Sequence, residues 1–281
     1  MQYRKLGNTG VDIPVIGQGT WKYGEDRRKE KDEVEALRYG IRNGLNLIDT
    51  AEEYGNGGAE KIVGQAIHDI RSDVFLVTKI SANNCSYKGV LGAAEASLDR
   101  LKTDYIDLYL QHWPSQHYDV AETMEAMVEL VNKGIVRYIG VSNFTIQLMQ
   151  EAQSHLGSIP LVCNQLAYHL HDRRIEKDIL PFSKDNGITI MGYSPFGFAP
   201  HKFGMKGFPQ VGSLERKILD TIGSKYDKTA YQVAMNWILR QESIVTIPKA
   251  VNKKHIDDNL KTLDWELDKE DLDQIENYFP Q

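Results

Sequence analysis

VFLVTKISANNCSYKGVLGAAEASLDRLKTDYIDLYLQHWP, residues 74–114, holds one complete structural unit. Its first seven residues form an apolar, β-branched run, the composition of a strand buried on both faces. Val90, Leu91, Ala94, Leu98 and Leu101 then recur at spacings of three and four, which gathers them on one face of a helix. A second apolar run starts at Tyr105 and ends at His112. Two buried strands joined by a helix make a parallel unit, because a chain needs a long crossover to return in the same direction.

Working outward, the same unit repeats. Apolar runs begin near Val15, Leu45, Val74, Tyr105, Tyr138, Leu161, Thr189 and Ile244, and most are about thirty residues apart, the length of one strand plus one helix. Amphipathic segments lie between them: Val34, Leu37 and Ile41; Ile62, Val63, Ala66 and Ile67; Met124, Met127, Leu130 and Val131; Ile146, Leu148 and Met149; Ile175, Ile179 and Leu180. Eight alternations close a parallel sheet, so the spacing predicts an α/β fold of the (β/α)8 TIM barrel type. An open doubly wound sheet is the rival, but the GQGTWK that follows the first run lacks the third glycine of a G-x-G-x-x-G dinucleotide loop.

Before the first run, RKLGNTGVDIPV has the glycine-punctuated centre of a β-hairpin that plugs the barrel bottom. Between the seventh and eighth runs the chain inserts GFAPHKFGMKGFPQVG and two further helical patterns, a loop long and glycine-rich enough to fold over a ligand. Residues 1–281 read as a single domain.

Composition narrows the function. A hydrophobic content of 41% supports a large core, while a formal charge of −6 argues against a polyanion-binding face and so against nucleic acid as a partner. No apolar stretch is long enough to span a membrane, and MQYRKLGNTG lacks the apolar core of a signal peptide. Cys85 and Cys163 are too few for a disulfide framework and read as free thiols. These features predict a soluble cytoplasmic protein with a small-molecule partner; oligomeric state has no signature in them.

The chemistry lies at the ends of the runs. Asp49, Tyr54, Lys79 and His112 each fall at or just past a run's C-terminal end, the face on which such barrels assemble sites. Side chains alternate along a strand, and Asp49 shares its parity with Leu45 and Leu47, Lys79 with Phe75 and Val77, and His112 with Ile106, Leu108 and Leu110. All three therefore point inward. Together they suit hydride reduction of a carbonyl, which leaves an oxyanion in need of a proton. Tyr54 donates it, Lys79 makes the phenol more acidic, Asp49 keeps Lys79 protonated, and His112 polarises the carbonyl oxygen.

These residues resemble the aldo-keto reductases over essentially the whole chain: IDTAEEYGNGGAEKIVGQAI is similar to the family's Asp and Tyr segment, VTKI to its Lys strand and LQHWP to its His strand. The resemblance implies catalytic Asp49, Tyr54, Lys79 and His112, and an NAD(P)H-dependent oxidoreductase that reversibly reduces an aldehyde, ketone or sugar carbonyl. It also implies a cofactor site. Gly19, Thr20 and Trp21 resemble the stretch beside the cofactor and substrate; Ser142, Asn143 and Gln165 resemble the groups that hold the nicotinamide amide; Tyr193 resembles the ring that stacks on it. Ser194, Phe196 and Gly197 would lie by the pyrophosphate, and Lys249, Ala250, Asn252, His255, Asp258 and Asn259 resemble the adenosine-binding segment. Members selective for NADP commonly place Ser and Arg where Ala250 and His255 stand, so the cofactor is NADP or NAD, with Lys249, Lys253 and Lys254 tipping the balance towards NADP.

Trp21, Tyr23 and Trp113 are expected to wall the substrate pocket. No metal site is expected, since His169 and His171 have no third ligand at a diagnostic spacing. Two other functions fit the same residues: a lyase using Lys79 as a Schiff-base nucleophile, and a non-catalytic nucleotide-sensing regulatory subunit on the same fold.

Overall fold

In the computed structural model, which describes residues 1–197 and 206–280, the chain opens with an antiparallel hairpin of β1 (Tyr3–Lys5) and β2 (Asp12–Pro14). Gly7 turns it with φ +50°, and a Cβ there would meet the Gly187 carbonyl oxygen at 2.4 Å, so only glycine fits. Leu6 and Ile13 are fully buried and pack with the inward residues Leu47, Val77, Leu108 and Val162. Arg4 donates to the carbonyls of Leu239, Gln241 and Ile244, which fastens the hairpin beside the last strand. The plug expected from RKLGNTGVDIPV is present.

Eight parallel strands follow in chain order: β3 (Gln18–Gly19), β4 (Leu47–Asp49), β5 (Phe75–Ile80), β6 (Ile106–Gln111), β7 (Val136–Ser142), β8 (Leu161–Ala167), β9 (Thr189–Tyr193) and β10 (Ile244–Thr246). The ring closes where Ile16 bridges Thr246: the Gly17 N–H donates to the Thr246 carbonyl at 2.8 Å and the Thr246 N–H to that of Val15 at 2.9 Å. Each run named from the sequence yields a strand within a few residues of its expected start.

Among the described residues the helices are α1 (Glu30–Arg42), α2 (Gly58–Ile67), α3 (Tyr87–Leu101), α4 (Val120–Asn132), α5 (Ile146–His155), α6 (Ile179–Asp185), α7 (Leu214–Lys225), α8 (Ala230–Leu239), α9 (Lys253–Leu260) and α10 (Lys269–Tyr278). Side-chain caps start several of them: Ser86 for α3, Ser213 for α7, and a full capping box of Thr229 and Gln232 for α8. The pattern through Ile175, Ile179 and Leu180 proves to be two pieces. A 3-10 turn spans Arg174–Glu176, and Asp178 accepts the Ile179 N–H to begin α6 anew.

Inward parity holds for Leu47, Phe75, Val77, Leu108 and Leu110, which share the interior cluster. It fails for Leu45 and Ile106. Leu45 precedes β4 and packs with Ala36 of α1, and Ile106, the first residue of β6, joins the cluster under the helices. The two helical patterns expected between the seventh and eighth strands are α7 and α8, whereas residues 198–205 of the glycine-rich stretch lie outside the described residues. Among the described residues no helix is long and apolar enough to cross a membrane.

Candidate active site

A cavity of about 760 Å³ opens at the C-terminal ends of the strands, with Asp49, Tyr54 and His112 in its lining. The fold delivers them from three consecutive segments. Asp49 ends β4, Lys79 is the next-to-last residue of β5, and His112 follows β6, where its N–H donates to the Ile80 carbonyl. Tyr54 opens a 3-10 turn (Tyr54–Gly57) in which Gly55 and Asn56 take positive φ, bringing the phenol back over the barrel mouth.

Beneath this floor Lys79 is wholly buried. Its ammonium lies 2.8 and 2.9 Å from the two Asp49 carboxylate oxygens, 2.6 Å from the Thr50 carbonyl oxygen and 3.5 Å from the Tyr54 hydroxyl. Asp49 also accepts from the Gln165 amide at 2.7 Å. A pair buried this deeply is tenable because both ions are multiply hydrogen-bonded.

One electrostatic expectation is corrected. Tyr54 is not made acidic: burial pushes its hydroxyl well above the ordinary phenol range, and the negative charges of Asp49 and Glu53 push the same way. Burial also lowers the Lys79 ammonium, against the opposing pull of Asp49. Asp49 lies nearer to the ammonium than Tyr54 does, so the pair presents little net positive charge to the phenol.

The His112 ring stands edge-on to Tyr54, with centroids 5.5 Å apart. Its Nδ1 is 3.0 Å from Glu53 Oε2, a contact within ion-pair reach though not aligned as a hydrogen bond. Burial lowers the imidazole below its usual range while Glu53 works to raise it; the histidine and Ser81 in turn hold the Glu53 carboxyl down, despite burial. The Ser81 hydroxyl donates to the other Glu53 oxygen at 2.7 Å.

Of the residues expected at the cofactor, Gly19, Trp21, Ser142, Asn143, Gln165, Tyr193, Ser194 and Lys249 line the cavity. The polar ones are linked: the Tyr193 hydroxyl donates to Asn143 Oδ1 at 2.8 Å, the Asn143 amide to Ser142 Oγ at 2.9 Å, and Ser142 Oγ to the Gln165 carbonyl at 2.9 Å. Asn143 and Ser194, each just past a strand end, hold positive φ of 63° and 54°. Strained non-glycine backbone of this kind persists where the surroundings over-determine it, commonly at binding sites.

Others stand apart from the cavity. Thr20 is buried behind it, donating to the Asp49 carbonyl, and Phe196 packs edge-on against Phe208 and Tyr231. Gly197 pairs with Gly207, and Ala250 joins a cluster with Val15 and Ile16. Asn252 caps α9, which carries His255, exposed, with Asp258 and Asn259 further along.

Trp21 and Trp113 do line the cavity, but Tyr23 does not: it is fully buried among Leu37, Ile48 and Ile62, and its hydroxyl donates to the Ala250 carbonyl. Lys22 between them has φ 67°, so the chain turns and the two rings face opposite ways. Conversely, Glu53, Asp172, Arg174 and Asp178 belong to the lining and were not singled out by motif reading. The run of charge in HDRRIEKD is the only signal for the last three, while Glu53 stands beside Tyr54 in AEEYG. Arg174 engages the buried Asp172 through Nε and Nη2, both at 2.8 Å. His169 Nδ1 accepts the His171 N–H, and among the described residues no group of three or more His, Cys, Asp or Glu side chains is arranged to hold a metal ion.

Comparison with known proteins adds three findings. The sequence profile of the Aldo/keto reductase family matches residues 15–278. Methylglyoxal reductase YeaE of Escherichia coli (strain K12) is 40% identical over 281 residues, covering 100% of this chain and 96% of that protein. Among solved structures, a thermostable aldo-keto reductase in complex with the inhibitor epalrestat superposes with a TM-score of 0.90 at 38% identity, covering 99% of each chain. An aldo/keto reductase from Klebsiella pneumoniae in complex with NADP and acetate does so with 0.89 at 35%, covering 100% of this chain and 96% of that one.

Proposed function

Because the chain belongs to the aldo/keto reductase family, and is thus an oxidoreductase that reduces carbonyl compounds with a nicotinamide cofactor, we propose that Tyr54 is its proton donor. The supporting observation is the stack at the cavity floor: the Tyr54 hydroxyl is 3.5 Å from an ammonium that Asp49 holds in place. A phenol whose affinity for its proton is raised stays neutral across the working range, so the acid is always loaded. As charge develops on the phenol oxygen, Lys79 is close enough to donate to it, an interaction stronger in the transition state than before it. His112, edge-on to the phenol, would present its ring to the carbonyl oxygen.

The residues present fit the cofactor. The amide side chains of Asn143 and Gln165, the Tyr193 ring and the cationic Lys249 share one cavity whose volume suits a ligand of this class. When bound, the nicotinamide supplies the hydride. Asn143 and Gln165 would hold its amide, Tyr193 its ring face, Ser194 its pyrophosphate and α9 its adenosine end. Lys249 in the cavity and the exposed Lys253 and Lys254 at the start of α9 favour NADP over NAD, although Ala250 and His255 supply no guanidinium clamp.

For substrate we favour small aldehydes, 2-oxoaldehydes among them, held between Trp21 and Trp113; the relative named for methylglyoxal supports this class. The two buried free thiols agree with a reducing, cytoplasmic setting for one barrel domain spanning residues 1–281. The lyase reading loses support because Lys79 is wholly buried beneath the floor and held by three oxygens, out of a substrate carbonyl's reach. The sensor reading leaves the assembled stack without a use.

Fluorescence titration with NADPH and NADH, followed by turnover on a panel of small aldehydes, ketones and sugars, tests cofactor and substrate. The Tyr54→Phe variant is expected to bind NADPH as the parent does and to turn over about two to four orders of magnitude more slowly. Unchanged turnover would remove Tyr54 from the mechanism.

A further inference from the structure

Glu53 places one carboxylate oxygen 3.0 Å from His112 Nδ1, while the Ser81 hydroxyl pins its other oxygen at 2.7 Å. The carboxylate is thereby fixed in orientation, with Oε2 turned to the imidazole. A neutral imidazole carries one N–H. With an anionic oxygen beside Nδ1, the proton belongs there, since a bare Nδ1 would set two acceptors against each other. Nε2 is then the nitrogen left for the cavity, and in the neutral ring it is bare and has nothing to donate to a carbonyl oxygen.

We infer that Glu53 is a positioning residue for His112: it fixes the proton on Nδ1, so that Nε2 can polarise a carbonyl only when the imidazole is protonated. The inference rests on the reading that His112 faces the carbonyl. The charged and titratable groups around the ring are Glu53 from the segment after β4, Asp49 at the end of β4, Lys79 on β5 and the Tyr54 phenol. Just past the end of β7, Asn143 adds only a neutral amide, which donates to the His112 carbonyl. Lys79 opposes protonation, but Asp49 holds its charge. Glu53 is thus the carboxylate that remains to balance an imidazolium, and carbonyl reduction at this site is faster in mild acid.

The test is single-turnover hydride transfer from NADPH to methylglyoxal, followed by stopped-flow fluorescence between about pH 4.5 and 8, in the parent, Glu53→Gln and His112→Asn. Loss of a carboxylate at this distance lowers an imidazole pKa by roughly one to three units. The parent rate is therefore expected to fall as pH rises through the His112 titration. In Glu53→Gln the same fall should come at least about one pH unit lower, leaving that variant roughly tenfold slower on the alkaline side. NMR titration of the His112 ring reads the same displacement without turnover. Superimposable pH profiles, or a uniform loss with an unmoved midpoint, would overturn the inference. A parent-like rate in His112→Asn would instead refute the role of His112 itself, so the two failures are distinguishable.

Discussion

Replacing Lys79 by methionine probes stability and chemistry at the same point. Methionine matches the length of the lysine stem but leaves Asp49, 2% exposed, with the Gln165 amide as its remaining side-chain donor and no cation. Removing one partner of a buried pair typically costs about 3–5 kcal/mol, because the other charge is left uncompensated. In a barrel of this size that corresponds to a fall in melting temperature of roughly 10 °C. Asp49→Asn strands the ammonium in the same way and should cost a similar amount. The double variant Asp49→Asn/Lys79→Met buries no charge. It should therefore recover most of the loss, giving a coupling energy of at least about 3 kcal/mol in a double-mutant cycle from urea denaturation. All three variants should reduce aldehydes far more slowly than the parent, since each lacks the braced ammonium under Tyr54. Strictly additive destabilisation would show that the pair is no energetic unit, and parental turnover in the double variant would show that it takes no part in proton donation.

Acid should loosen the fold through His169, whose pKa burial lowers to about 4 and whose Nδ1 accepts the His171 N–H in the neutral form. Its folded pKa lies below the unfolded value, so its stabilisation is complete above about pH 6.5 and drains away as pH falls towards 4, costing roughly 2–3 kcal/mol at pH 4.5. Urea titrations should find His169→Asn flatter across that window, and parallel pH dependence would refute the assignment. Gly140→Ala puts a methyl 2.4 Å from Leu110 Cδ2 and 2.9 Å from the Cys163 carbonyl oxygen inside the barrel, so it should lower stability by about 1–3 kcal/mol in the same assay. Tyr23→Phe removes the donor to the Ala250 carbonyl and should cost about 1 kcal/mol with the aldehyde KM unchanged, whereas Trp21→Ala should raise that KM.

The sequence made the barrel legible where one physical rule acts alone. Parallel strands covered on both faces become unbroken apolar runs, so all eight could be named, and inward parity placed Asp49 and Lys79 together before any coordinate. Where several effects compete, the reading failed. Trp21 and Tyr23 look like one aromatic wall until the positive φ of Lys22 separates them, and nothing in a lysine announces a left-handed turn. The rim residues Asp172, Arg174 and Asp178 sit in a connection with no period to reveal which of its charges reaches the cavity. The direction of the Tyr54 shift is hidden from the sequence for a deeper reason. Sequence discloses which charges approach the phenol but not how completely water is excluded from it, and here exclusion outweighs the neighbouring cation. That imbalance bears on the chemistry: a hydroxyl held this way keeps its proton and stands loaded for reduction, whereas alcohol oxidation first needs the phenolate, so its rate should rise with pH.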